Sequence, residues 1–473
     1  MENKRINGND LIAIGHKENH AMGVALKINK KRLGFTKEEM LQKFKNVLEN
    51  PKNYLTDKIF QPLAEILLNI EKLEDTFIPL SESFNPYKIY GDANIEDGAK
   101  DQMNIAMQLP VAVSGALMPD AHQGYGLPIG GVLATKNAVI PYGVGVDIGC
   151  RMALSVFDLQ EHYLLSHHDQ LKRILIDQTK FGAGQGFLKN ERLDHAILDN
   201  SAFETNMLIK ELKDKAWTQL GTSGGGNHFV EFGVLEFAER DENLGIEKGK
   251  YLSLLTHSGS RGLGATIADY YTKLAKSICK LPYKAQHLAY LDLNSEEGQE
   301  YWIAMNLAGD YASACHEVIH HKIEKALGVP LLAKIENHHN FAWKEIHNGE
   351  EVIVHRKGAT PASKDVLGII PGSMATAGFL VRGKGNEESI NSASHGAGRL
   401  MSRTKAINTL DKNDLSKMLI DNGITLIGAG MDEAPMAYKD IHTVMEAQKD
   451  LVDVVATFHP KIVRMADDGS KED

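Results

Sequence analysis

Apolar positions follow two different rhythms along the chain. Met40, Leu41, Phe44, Val47 and Leu48 recur at helical spacing after Thr36, whose hydroxyl is placed to cap a helix. Glu39 completes a capping box, Phe35 is placed to staple against Met40, and Pro51 follows the end. The pattern predicts a helical section over residues 1–90, with a linker in IPLSESFNPY at 78–87. From about residue 100 the rhythm changes to short apolar runs that enter glycine-rich turns, as in KNAVIPYGVGVDIGC, YLSLLTHSGSRG and EEVIVHRKGAT. Such turns let backbone approach a ligand. Helices are predicted around 262–279, 300–326 and 440–457. No linker-like break interrupts 115–440, so one large domain over 91–466 is expected, followed by an acidic, solvated tail at 467–473. The fold class is α+β, with mixed β-sheets surrounded by helices and a helical N-terminal section.

Composition narrows the function. The 473 residues carry 52 Lys and Arg against 62 Asp and Glu, a net charge of -10. That balance excludes a protein that coats nucleic acid through overall charge, so any RNA would be held by a local basic site. No apolar run reaches the roughly 18 residues of a membrane span, and MENKRINGNDLIAIG lacks the features of a secretory signal. A soluble cytoplasmic protein without a membrane partner is expected. Three scattered cysteines, Cys150, Cys279 and Cys315, do not make a disulfide framework.

Candidate chemistry gathers in the glycine-rich turns. Asp147 and Cys150 stand three residues apart, a spacing that alone fits a buried structural cysteine as well as a ligand pair. His228, His257 and His339 each end an apolar segment beside small or polar residues. Together the five offer oxygen, sulfur and nitrogen donors suited to Mn²⁺, Co²⁺ or Zn²⁺, and a thiolate is able to bridge two ions. His395 is followed by Gly396, Ala397 and Gly398, which leaves room for a bulky group on the imidazole, and Arg399 offers a fork for phosphate. A histidine whose glycines merely turn the chain reads equally well at this point. His316 and His320 share a helical face without a nearby carboxylate motif and read as packing. There is no P-loop, dinucleotide fingerprint or Lys-x-Asp-Gly motif, so nucleotide chemistry here would need another nucleophile.

Taken in order, MPDAHQGYGLPIGG at 118–131, GVGVDIGC at 143–150, GTSGGGNHFVE at 221–231, HSGSRG at 257–262, HHN at 338–340, RKGA at 356–359, IIPGSMA at 369–375, SHGAGRLMSR at 394–403 and EAPMAYKDI at 433–441 resemble the RtcB family of RNA-splicing ligases. The resemblance covers roughly 95–465. It implies that Asp147, Cys150, His228, His257 and His339 hold two Mn²⁺ ions with Cys150 as the bridge. It implies that His395 carries GMP taken from GTP, oriented by Asp120. By the same resemblance, Asn227, His228, Phe229, Val230, Glu231, His339, Asn340, Pro371, Gly372, Ser373, Met374, Gly378, Gly396, Ala397, Gly398 and Tyr438 surround the nucleotide together with His395. Arg356, Lys357, Arg399 and Arg403 are its expected phosphate contacts on RNA. The implied activity joins a 2′,3′-cyclic phosphate or 3′-phosphate RNA end to a 5′-hydroxyl end, in tRNA splicing or RNA repair. An archease-like activator is the partner protein the family brings with it.

Three positions depart from the family pattern. The chain reads Val463-Arg464-Met465-Ala466-Asp467 where a nucleotide-contacting lysine is usual, with Lys461 or Arg464 as the expected substitutes. Gly378 replaces a frequent serine, and Cys315-His316 stands in place of an Asn-Arg pair on the RNA path. These departures leave room for a paralogue specialised in repairing one damaged RNA. A scaffold that binds RNA without ligating it is the alternative from another class, and the retained His395, Asp120 and ligand set argue against it.

Overall fold

The computed structural model describes residues 6–17, 19–31, 34–74 and 77–466; the acidic tail lies outside the described residues. Four helices, Gly8–Ala13, His20–Asn29, Lys37–Glu49 and Gln61–Glu74, make the N-terminal section. The expected capping box is formed: Glu39 N–H donates to Thr36 Oγ1 (3.2 Å) and Thr36 N–H donates to the Glu39 carboxylate (2.8 Å). Met40, Phe44 and Val47 then bury into a small core of their own with Leu11, Ile28 and Leu63. The segment expected as a linker is anchored near its two ends, while residues 81–86 within it are exposed. Ile78 N–H donates to Lys280 O and Ser81 N–H to Gln108 O, both at 2.8 Å, while Ile78, Leu80 and Tyr87 cover the main core.

Two sheets organise the remainder. One has five strands, in the order Lys88–Ile89, Ala112–His122, Ile129–Thr135, Glu350–Lys357, Asn340–His347. The other has eight, running Leu367–Ile370, Gly378–Gly383, Val452–Met465, Phe229–Phe237, Gly249–Ser258, Arg151–Gln160, Leu331–His338, with Thr425–Ile427 added to Val452–Met465. Side chains alternate across the larger sheet. Val230, Phe232, Val234, Leu252 and Leu254 pack on one face against Leu171, Ile319 and Ile323 of the flanking helices, which leaves Glu231 and Leu255 for the other. The predicted helices at 262–279 and 300–326 are present as Arg261–Ile278 and Glu296–Leu327. No described helix is long and apolar enough to cross a membrane.

The helix expected over 440–457 is a misreading. It stops at Glu446, and Val452–Met465 is the longest strand of the large sheet, paired on both sides. VDVVATFHPKIV is rich in β-branched residues, which fit a pleated surface better than a helix. Pro460 sits beside the register shift in this strand, where a residue without an N–H costs the ladder least.

Candidate active site

Strand order brings the chemistry together. Cys150 immediately precedes Arg151–Gln160, His228 precedes Phe229–Phe237, His257 lies at the end of Gly249–Ser258, and His339 joins Leu331–His338 to Asn340–His347. The registers Met152↔His257 and Phe229↔His257, with Arg151↔His338, align these four ends in one row. Cys150 Sγ lies 3.5 Å from His228 Nε2 and 3.1 Å from His257 Nε2. His228 Nε2 is 3.0 Å from Asp147 Oδ2, and His257 Nε2 is 3.1 Å from His339 Nε2. Two groups that could hold a metal ion result, Asp147–Cys150–His228 and Cys150–His257–His339, sharing the thiol.

The donors fit divalent metal. His257 Nδ1–H donates to Asn227 O at 3.1 Å, which fixes its tautomer and leaves Nε2 as a lone pair toward the cluster. Burial, with the neighbouring His228 ring, pushes His257 down to about 3. Burial, reinforced by His395 and His257, also holds His339 well below the usual histidine range. Neutral imidazoles are the ligating form. Burial tends to raise Asp147, but the hydrogen bond and charge of His228 outweigh it and keep the carboxyl low. Packing leaves little slack around the donors: a Cβ at Gly224 would stand 2.0 Å from His228 Nδ1, and one at Gly259 would stand 2.0 Å from Asp147 Oδ1. Behind the row, His316 Nε2–H donates to Ser258 O (3.1 Å), and Thr256 Oγ1 contacts both His316 (2.6 Å) and His320 (2.8 Å). Cys315 and His316 are thus buried beneath the site, away from any surface an RNA path would follow.

A second assembly faces this one. Ser392–Ser394 delivers His395, whose Nδ1 is 2.7 Å from Asp120 Oδ2 at the end of Ala112–His122. The same oxygen accepts from the backbone N–H of His395 (3.1 Å) and of Gly396 (3.3 Å). Asp120 is fully buried; burial tends to raise it, but the His395 hydrogen bond and charge, then Lys439, hold it below the usual carboxylate range. The His395 and His339 rings are 5.0 Å apart. With Nδ1 engaged, Nε2 is the nitrogen left for chemistry.

Both assemblies open on one cavity of about 380 Å³. Of the expected nucleotide residues, Asn227, Phe229, Glu231, His339, Asn340, Pro371, Gly372, Ser373, Met374, Gly378, His395, Gly396, Ala397, Gly398 and Tyr438 line it. His228 does not; it sits behind, on Asp147. Val230 is corrected, since strand alternation sends its side chain into the core on the opposite face. Glu231 is held between Leu255 and Val463 on the neighbouring strands, and burial raises its carboxyl well above the usual range.

The family model described as tRNA-splicing ligase RtcB matches residues 102–466. The chain belongs to the RtcB family. It is 34% identical over 397 residues to the RNA-splicing ligase RtcB of Escherichia coli (strain K12), covering 77% of this chain and 93% of that relative. It is 31% identical over 462 residues to the tRNA-splicing ligase RtcB of Nanoarchaeum equitans, covering 82% and 96%. The tRNA-splicing ligase RtcB of Thermococcus kodakarensis is 29% identical over 452 residues, covering 79% and 93%.

Within this RtcB chain the four expected phosphate contacts separate. Lys357, Arg399 and Arg403 line the cavity, but Arg356 is corrected. It is 0% exposed, with its fork on Glu345, its Nε–H donating to Ser392 Oγ (2.7 Å) and Nη2 donating to Ile390 O (3.0 Å). Adjacent residues of a strand face opposite ways, so Lys357 and Arg356 cannot both face RNA. Arg399 donates to Asp432 O (2.6 Å) and Tyr438 Oη (3.3 Å), and Arg403 pairs with Asp432 and Glu433. Lys461 and Arg464 do not replace the missing lysine: Lys461 Nζ donates to Asn422 O and Arg464 to Leu175 O and Ile176 O, and neither lines the cavity. Sequence reasoning missed Tyr125, Tyr142, Glu433 and Phe458 in the wall, and it named Val463 and Met465 only as the place of a missing lysine. Tyr125 and Glu433 stand inside the recognised blocks, whereas Tyr142 and Phe458 lie outside them.

Proposed function

We propose that this protein is a GTP-dependent RNA ligase that joins a 2′,3′-cyclic phosphate or 3′-phosphate end to a 5′-hydroxyl end through GMP carried on His395. The observation that carries the reading is the 2.7 Å contact from Asp120 to His395 Nδ1, which presents Nε2 to a cavity shared with a thiol-centred ligand set. Membership of the RtcB family supports it.

Asp120 keeps the proton on Nδ1, so the Nε2 lone pair is free to attack the α-phosphorus of GTP. The new N–P bond replaces the bond to pyrophosphate, which leaves. Asp120 stabilises the charge that develops on the ring, as the carboxylate of a catalytic triad does. Water opens a cyclic end to a 3′-phosphate, whose oxygen then attacks the GMP phosphorus, and the N–P bond breaks to return His395 neutral. The 5′-hydroxyl oxygen next attacks the 3′-phosphorus of the activated RNA, GMP departs, and the hydroxyl proton is released. Asp147, Cys150, His228, His257 and His339 would hold two Mn²⁺ ions, which when bound supply neutralisation of charge on the phosphoryl oxygens. Arg399 and Arg403 stand in the wall where phosphates would lie. Because Cys150 must stay a thiol or thiolate, a reducing compartment such as the cytoplasm suits the reaction.

The test is end joining by the purified protein with GTP and Mn²⁺, using one RNA with a 2′,3′-cyclic phosphate and another with a 5′-hydroxyl. The expected product retains the cyclic-end phosphorus in the new linkage. Failure to join, with both RNAs recovered intact, would sink the proposal.

A further inference from the structure

One wall of the cavity carries an aromatic group that the steps above leave unused. Tyr125 lies in the turn between Ala112–His122 and Ile129–Thr135, and Tyr142 lies in the short helix Pro141–Val144. His287 reaches them from the 3-10 helix Tyr283–Leu288. The ring centroids are 5.3 Å apart for Tyr142 and His287, 5.9 Å for Tyr125 and His287, and 6.5 Å for the two tyrosines. Tyr125 is 66% exposed, unusual for a tyrosine packed beside other rings.

Cations interleave with these rings. Lys357 Nζ lies 4.9 Å from the Tyr142 centroid and donates to Tyr125 O (2.7 Å) and Tyr142 O (3.4 Å). Lys276 Nζ lies 5.8 Å from the same centroid and donates to His287 Nδ1 at 3.0 Å. In an acidic chain the exposed Tyr125 ring, backed by the partly buried Tyr142 and His287 and by two lysines over Tyr142, is the combination of aromatic and cation that binds single-stranded nucleic acid.

Resting on the ligase reading, we infer that Tyr125, Tyr142 and His287, flanked by Lys276 and Lys357, are a stacking platform for a base near the end of the 3′-phosphate RNA strand. Position selects that strand. Lys357 is followed by Gly358, where a Cβ would lie 3.1 Å from His395 Cε1, so the platform adjoins the imidazole from which the 3′-phosphate must take GMP. Phe229 and Glu231, which were expected to surround the nucleotide, and Val463 beside Glu231 belong to the larger sheet, whereas Lys357 and the turn that carries Tyr125 belong to the smaller one. The platform therefore borders the expected nucleotide residues at Asn340, the register partner of Lys357, and shares no strand with Phe229 or Glu231. In the proposed sequence of steps the 5′-hydroxyl reacts last, after GMP has left the histidine. Stacking of this kind tolerates any base.

The experiment measures binding of a short single-stranded RNA bearing a 3′-phosphate to the full chain in Mn²⁺ without GTP. Tyr125→Ala should raise Kd about ten-fold or more, the range expected for loss of one base–aromatic stack. Tyr125→Trp should restore it. The same RNA with abasic residues at its 3′ end should bind the wild type weakly and show no further loss with Tyr125→Ala. Equal Kd values for wild type and Tyr125→Ala would overturn the platform while leaving the ligase reading intact. Loss confined to a 5′-hydroxyl strand with a blocked 3′ end would overturn the strand assignment. Wild-type protein that neither binds RNA nor joins ends would overturn both readings.

Discussion

Asp120 and Asp147 are both buried, and each faces a histidine, but they meet opposite nitrogens of the ring. Asp120 takes Nδ1 of His395 and leaves Nε2 free. Asp147 lies against Nε2 of His228, so carboxylate and imidazole present their donor atoms to the same point, where Cys150 Sγ also converges. The first arrangement leaves one nitrogen open to the cavity, and the second gathers donor atoms that could hold a cation. On the proposed reading, this difference in attachment separates the nucleophile from a ligand among histidines that look alike in the sequence.

The comparison breaks most severely if the ligand side is not needed. Cys150→Ala should abolish both GMP addition and end joining, because the two donor groups share this sulfur. Metal affinity should fall by at least about 100-fold, since even residues that only support a ligand are worth 10–100-fold. Metal titration by calorimetry checks this, and retained joining at saturating Mn²⁺ contradicts it. On the other side, Asp120→Asn should slow GMP addition by about 10³–10⁴-fold, as loss of the carboxylate does in other carboxylate–imidazole pairs, while metal binding stays at the wild-type level. Equal loss of both in single-turnover and titration experiments would mean that the two assemblies are not separate.

How far each assembly could be read beforehand follows from locality. The candidate ligand and nucleophile positions sit in glycine-rich turns at strand ends, where the neighbouring residues marked them as candidates and the ordered family blocks, each a short local run, implied their roles. Arg356 and Lys357 are adjacent, and only the pairing of their strand with Ile129–Thr135 on one side and Asn340–His347 on the other decides which faces the cavity. The Glu345 partner that claims Arg356 comes from the next strand in the sheet, which no local pattern reveals. The last wall of the pocket was lost for the same reason: Val463 and Met465 gain their place from pairing with Glu231 and Phe229.

Arg356 and Lys357 sharpen the contrast further. Arg356→Ala should destabilise the fold by about 3 kcal/mol, the cost of breaking a buried ion pair, seen as a lowered denaturation midpoint. RNA affinity of the folded fraction should be unchanged; a selective loss of RNA binding would reinstate Arg356 as a contact. A smaller effect belongs to pH. Burial pushes Lys357 down to about 7, so the ammonium is present below that value and is lost as pH rises through it. Affinity for a 2′,3′-cyclic phosphate end, whose own charge is constant, should therefore fall by about ten-fold per pH unit at most above pH 7. Lys357→Met should flatten the profile, and an unaltered slope in that variant would assign the titration elsewhere.

The claim that His395 is the covalent nucleophile meets its most direct test in mass analysis. Wild-type protein incubated with GTP and Mn²⁺ should gain one GMP, and peptide mapping should place it on His395. His395→Ala should gain none while still binding metal, yet it should join RNA already carrying GMP on its 3′-phosphate. GMP mapped to any other residue, or a variant that joins cyclic-phosphate RNA unaided, would contradict the account.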